Sequence, residues 1–118
     1  VIGKTLLAIV ALQHVAFAVL EMFLWNSPIG RKVFRTTESF ATESRALAAN
    51  QGLYNLFLAA GLFASFLLDE MAAHWFRYFF LGCVVVAGAF GAATVNKRIF
   101  VVQAIPAVLA ILFLVLGI

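Results

Sequence analysis

The spacing of charged residues constrains this chain more than any other feature. Uncharged stretches run from Ala46 to Leu68, from Tyr78 to Asn96 and from Ile99 to Ile118. Each is close to the ~20 residues a helix needs to cross roughly 30 Å of hydrocarbon. A further apolar run, from about Gly3 to Trp25, is interrupted by His14 and Glu21. Charged residues are only 11% of the chain and mean hydropathy is +1.10, too little charge to clothe the surface of a soluble domain. The expected fold is all-α: one membrane domain over residues 1–118, a four-transmembrane-helix bundle with spans at approximately 3–25, 46–68, 75–96 and 99–118.

Three connections join these spans: Asn26–Ala46, a short Asp69–Arg77 turn, and Asn96-Lys97-Arg98. The first opens with Asn-Ser-Pro-Ile-Gly, which reads as a helix stop and turn. It continues with Val33, Phe34 and Phe40 among Arg31, Lys32, Arg35 and Glu38, a pattern open both to an irregular loop and to a short interfacial helix lying along the headgroups. The first span ends in Glu-Met-Phe-Leu-Trp without a small-x-small cleavage site, so it is expected to be a span and not a signal peptide.

Lysine and arginine set the expected orientation. The first and third connections hold Arg31, Lys32, Arg35, Arg45, Lys97 and Arg98, against Lys4 and Arg77 on the other side. The positive-inside bias then puts those connections in the cytoplasm and both termini outside, in a plasma membrane of the bacterial inner-membrane type. The net charge of +3 reports orientation on this reading. No nucleic-acid partner is expected, and zinc-finger, P-loop and dinucleotide fingerprints are all missing.

Polar side chains inside the spans point to function. Measured from the cytoplasmic edge at ~1.5 Å per residue, Glu21, Asn50, Gln51, Asn55 and Gln103 fall in the same half of the membrane. Gln51 and Asn55 are spaced i,i+4 with Tyr54 beside them, and His14 and Glu21 are spaced i,i+7, each pair on one helix face. Polar groups in hydrocarbon turn inward toward partners, so Glu21, Asn50, Gln51, Tyr54, Asn55 and Gln103 form the expected ligand-binding cluster. The competing reading is that the amides are interhelical glue. Glu21 is the strongest single candidate, as a working carboxylate, an interfacial anchor or an ion-pair partner of Arg45, Lys97 or Arg98. His14 is the second candidate for acid–base chemistry, against a structural role donating to a carbonyl or amide.

No metal or cofactor is expected, because His14, Glu21 and one amide make a poor transition-metal set and His74 lies at a different depth. Cys83, the single cysteine, sits in an apolar run and reads as packing. The third span carries Ala87/Gly91 and Gly88/Ala92 pairs that let backbones approach closely, within the chain or in a parallel homodimer with this helix as its seam. Trp25, Trp75 and Tyr78 fall at span ends, where aromatic belts form. Pro106 cannot donate to the carbonyl of Val102 and is expected to bend the fourth span beside Gln103.

Four runs taken in order carry a resemblance: Glu21-Met-Phe-Leu-Trp25; Asn50-Gln-Gly-Leu-Tyr-Asn55 with Phe-Leu-Ala-Ala-Gly61; Leu81-Gly-Cys-Val-Val-Val-Ala-Gly88 with Gly91-Ala-Ala-Thr-Val95; and Gln103 ahead of Pro106-Ala107. Together they resemble the bacterial and fungal family of small membrane proteins filed as domain of unknown function 1304. The resemblance implies four spans and carries no catalytic residue with it.

Three function classes follow. The first is a protein that binds or moves a lipid or small amphipathic molecule through the polar cluster. The second is a membrane-embedded enzyme using Glu21, with His14, as acid or base. The third is a structural or accessory subunit. The first is favoured, since His14 lies ~10 Å along the helix axis from Glu21, beyond direct contact.

Overall fold

The computed structural model describes residues 1–118 and is all-α. Its helices are α1 (Ile2–Met22), α2 (Pro28–Phe34), α3 (Glu38–Glu43), α4 (Arg45–Ala64), α5 (Glu70–Thr94) and α6 (Ile105–Val115), the last preceded by a π-helical turn at Phe100–Ala104. Two of them, α1 with 21 residues and α5 with 25, are long and apolar enough to cross a membrane. The 20-residue α4 is less apolar because it carries Asn50, Gln51 and Asn55. Phe100–Val115 is a shorter apolar segment.

The stretch after α1 holds two short helices, and the same residues that stop one helix start the next. Ser27 N-caps α2 by accepting from the Gly30 amide at 3.2 Å, and Pro28 occupies the first turn, where a missing N–H costs nothing. Arg35, with φ 55° and ψ 45°, ends α2 in the left-handed region. Thr37 then caps α3 by accepting from the Phe40 amide at 3.1 Å, with Glu38 in the first turn, where the helix dipole favours it. The Asp69–Arg77 stretch likewise differs from a turn: Asp69 accepts from the Met71 and Ala72 amides, both at 3.1 Å, and α5 begins at Glu70.

The chain divides into two compact units. The first comprises Val1–Leu12 and Leu58–Ile118. Its core is Leu7, Val10, Ala11, Leu62, Leu81, Val84, Ala107 and Ala110, bordered by half-buried Leu58, Phe80, Val85, Ile111 and Leu114. In this unit α5 packs along the π-helical turn and α6. Small residues set the spacing: a Cβ on Gly88 would stand 2.8 Å from the Cβ of Ala104, and one on Gly91 2.9 Å from the side chain of Ile99. Gly88 and Gly91 of α5 are therefore packed within the chain, whereas Gly82 faces open space. The wide turn ahead of Pro106 follows from proline chemistry. The amide of Ile105 reaches back five residues to the Phe100 carbonyl, an expanded turn that makes room for the ring that would otherwise press on the carbonyl four residues earlier.

The second unit, Gln13–Phe57, holds the end of α1, all of α2 and α3, and the start of α4. Trp25 donates its indole N–H to the Ser44 hydroxyl at 3.0 Å and Asn26 donates to Thr42 at 2.8 Å. The Trp25 ring packs on Phe34 with centroids 4.9 Å apart. Gly30 lies against the backbone carbonyls of Leu24 and Trp25, where no side chain would fit.

Candidate functional site at Glu21 and Asn55

The buried face of α1 is one stripe: Leu7, Ala11, His14, Ala18 and Glu21 recur at intervals of four and three and are all buried. Within the second unit that stripe offers His14, Ala18 and Glu21, and α4 meets Ala18 and Glu21 at Gly52. A Cβ on Gly52 would stand 2.5 Å from Cγ of Met22, 3.1 Å from the Ala18 carbonyl oxygen and 3.2 Å from Cβ of Glu21. Glycine lets the two helices lie this close, since a Cβ would displace the Met22 side chain and crowd the Ala18 carbonyl.

That approach brings together the carboxylate and one amide. Glu21 is only 3% exposed, and Asn55, one turn after Gly52, donates its side-chain N–H to Oε1 of Glu21 in a short hydrogen bond. The chain's three ion pairs lie elsewhere, at Lys4–Glu70, Arg31–Glu38 and Arg77–Glu70. The buried carboxylate is thus held by an amide donor alone, in a wall otherwise lined by small apolar residues.

The other predicted residues take different places. Asn50, Gln51 and Tyr54 are exposed on α4. Along the face shared by Gln51 and Asn55, polar groups run from exposed Gln51 to half-buried Asn55 to buried Glu21. His14 is fully buried, with its ring edge-on to Phe17 at 5.6 Å. Gln103 is half-buried in the π-helical turn of the first unit. The two described surface depressions lie along α3, at Glu38, Ser39, Thr42 and Glu43, and along α5 around Gly82; Glu21 lines neither.

Arg77 is a polar residue whose place the sequence reading missed. It is 8% exposed, donates from Nη2 to the Ser65 carbonyl at 3.3 Å and pairs through Nη1 with Glu70 at 3.4 Å, while Lys4 stands 4.0 Å from the other Glu70 oxygen. The signal was Asp69-Glu70: once Asp69 is read as an N-cap, Glu70 and Arg77 fall two turns apart on one helix face.

The family model described as "Protein of unknown function (DUF1304)" matches residues 8–115. No curated protein and no solved structure matches the chain.

Proposed function

The chain belongs to the DUF1304 family over nearly its whole length, and from its own residues we propose that it is a four-span integral membrane protein that binds a small amphipathic molecule or lipid at Glu21. In this reading α1, α4, α5 and the segment Phe100–Val115 cross the bilayer as one membrane domain, with the first and third connections in the cytoplasm and both termini outside. The distribution of side chains supports it. Large apolar residues such as Phe23, Phe79, Val86, Phe90, Leu112 and Val115 are exposed, while alanines and polar groups are buried. Water penalises that arrangement and lipid does not.

The observation that carries the binding reading is the buried Glu21 carboxylate held by Asn55. A carboxylate in an apolar wall selects a molecule with an apolar body and a cationic or hydrogen-donating head. Gln51 and Asn55 form the polar route toward it, and the ligand's head displaces the Asn55 amide. Asn50, Tyr54 and Gln103 enter the proposal as further hydrogen-bonding groups at matching membrane depth. The test is calorimetric titration of the reconstituted protein with dodecylamine. Wild type is expected to bind, and Glu21→Gln to bind at least about tenfold more weakly, since a charge-assisted hydrogen bond contributes ~1.5–3 kcal/mol. Equal binding by both proteins would refute the site.

A second reading has its own support. Glu21 lines neither surface depression, and its bond to Asn55 already satisfies one oxygen, as expected of a fastener between α1 and α4. A fastener loses helix association when Glu21 or Asn55 is replaced and has no dodecylamine binding to lose.

A further inference from the structure

We propose that the outward face of α2 and the residue that ends it, Ile29, Lys32, Val33 and Arg35, form a docking surface for anionic phospholipid headgroups. Residues 28–35 carry three cations, Arg31, Lys32 and Arg35, and no acid. Arg31 pairs with Glu38 at 3.7 Å, whereas neither Lys32 nor Arg35 takes part in any of the chain's three ion pairs, and both are exposed. The backbone at Arg35, with φ 55°, suits glycine or asparagine better than a long side chain, and the position holds a cation. Beside these charges lie Ile29 and Val33, one turn apart on the same helix face and 55% and 40% exposed. The inner face of α2 is already used: Gly30 lies against the Leu24 and Trp25 carbonyls, and Phe34 against the Trp25 ring.

Charge and apolar surface together identify the occupant. A free anion would satisfy Lys32 and Arg35 and leave Ile29 and Val33 in water, whereas a phospholipid brings a phosphodiester and the base of an acyl chain in one molecule. The surface rests on the four-span reading for its depth. α2 starts just past the end of α1 at Met22, and the Trp25–Ser44 hydrogen bond ties that end to the residue ahead of α4. With the end of α1 at the membrane boundary, the outward face of α2 lies at the level of the phosphates. Ile29 and Val33 then reach the acyl boundary, while the long stems of Lys32 and Arg35 carry their charges back to the headgroups. A zwitterionic headgroup offers the same phosphate with its own cation beside it, so the surface selects phosphatidylglycerol over phosphatidylcholine.

Trp25, half-buried against Phe34, is the reporter. The full chain with Trp75→Phe is reconstituted in equimolar vesicles of the two lipids, with brominated acyl chains carried either by phosphatidylglycerol or by phosphatidylcholine. Surface charge and bromine content stay fixed, and only the headgroup of the quencher changes. Quenching should report an association constant roughly 5- to 30-fold higher for phosphatidylglycerol, about fivefold from each of the two cations, and the preference should weaken with added salt. Lys32→Gln should lower it about fivefold, and Lys32→Gln with Arg35→Gln should bring it to about unity. Lys32→Arg with Arg35→Lys should keep it. Equal quenching by the two lipids, or a preference that survives the double glutamine variant, overturns the docking surface and leaves the four-span reading standing. Absence of quenching by either lipid overturns the membrane placement of the end of α1, and the surface with it.

Discussion

Asn55 and Glu21, separated by 34 positions in sequence, are joined by a hydrogen bond that exists because Gly52 lets α4 lie against α1. The pair is a polar contact at a buried position, and its energetics can be isolated. Asn55→Leu leaves a buried carboxyl group without its donor and should cost about 1–3 kcal/mol. Removing both polar groups, Glu21→Leu with Asn55→Leu, should recover most of that loss. Unfolding in mixed detergent micelles across this double-mutant cycle is expected to give a coupling of roughly 1–3 kcal/mol; additive losses would show that the bond contributes nothing.

Gly52→Ala tests the close approach itself. The new methyl meets the flexible Met22 side chain, which can move, and the Ala18 carbonyl, which cannot move without shifting α1. A loss of about 1–3 kcal/mol is expected, larger for Gly52→Val, with Glu21→Gln bringing no relief because the obstruction is steric.

The same reasoning separates two glycines of α5. Gly88→Val should destabilise strongly, since its Cβ falls 2.8 Å from Ala104, while Gly82→Val should leave the thermal midpoint within about a degree or two because nothing lies within 4 Å. Equal losses at both positions would contradict the packing of α5 on the π-helical turn.

Trp25→Phe removes the indole donor to Ser44 and keeps an aromatic ring against Phe34. Loss of a neutral hydrogen bond, about 0.5–1.5 kcal/mol, should raise local opening of the α2–α3 segment by roughly 2- to 13-fold. Trypsin cleavage at Arg31, Lys32 and Arg35 reads this directly, and an unchanged cleavage rate would show that the bond does not hold the segment.

The sequence made the helical class and the long apolar α1 and α5 legible, because the gaps between charges are physical lengths. It also marked Glu21 and Asn55 as candidates through shared depth, yet could not choose Asn55 over Asn50 or Gln51. Depth is one coordinate, and rotation about the helix axis decides which amide faces α1; Gly52 held that information as a point of contact. The sequence leaves a single short helix open after α1; that there are two, α2 and α3, depends on local capping groups, Ser27-Pro28 and Thr37-Glu38, which hydropathy does not register. Arg77 was placed in a turn for a related reason: without the Asp69 cap, its two-turn spacing from Glu70 is invisible.

The expanded turn at Phe100–Ala104 also has a meaning for chain length. It stores one residue more than an ordinary turn, so deletion of Val101 should close it to regular α geometry while leaving Ala107 and Ala110 aimed at Leu81 and Val84 in the core, at the cost of tightening the fit around Pro106. Deleting Val108 has no slack to draw on. It rotates everything after it by about 100° and turns Ala110 out of the core. The last helix can therefore be shortened by one residue at one place, and melting curves of the two deletions should differ accordingly.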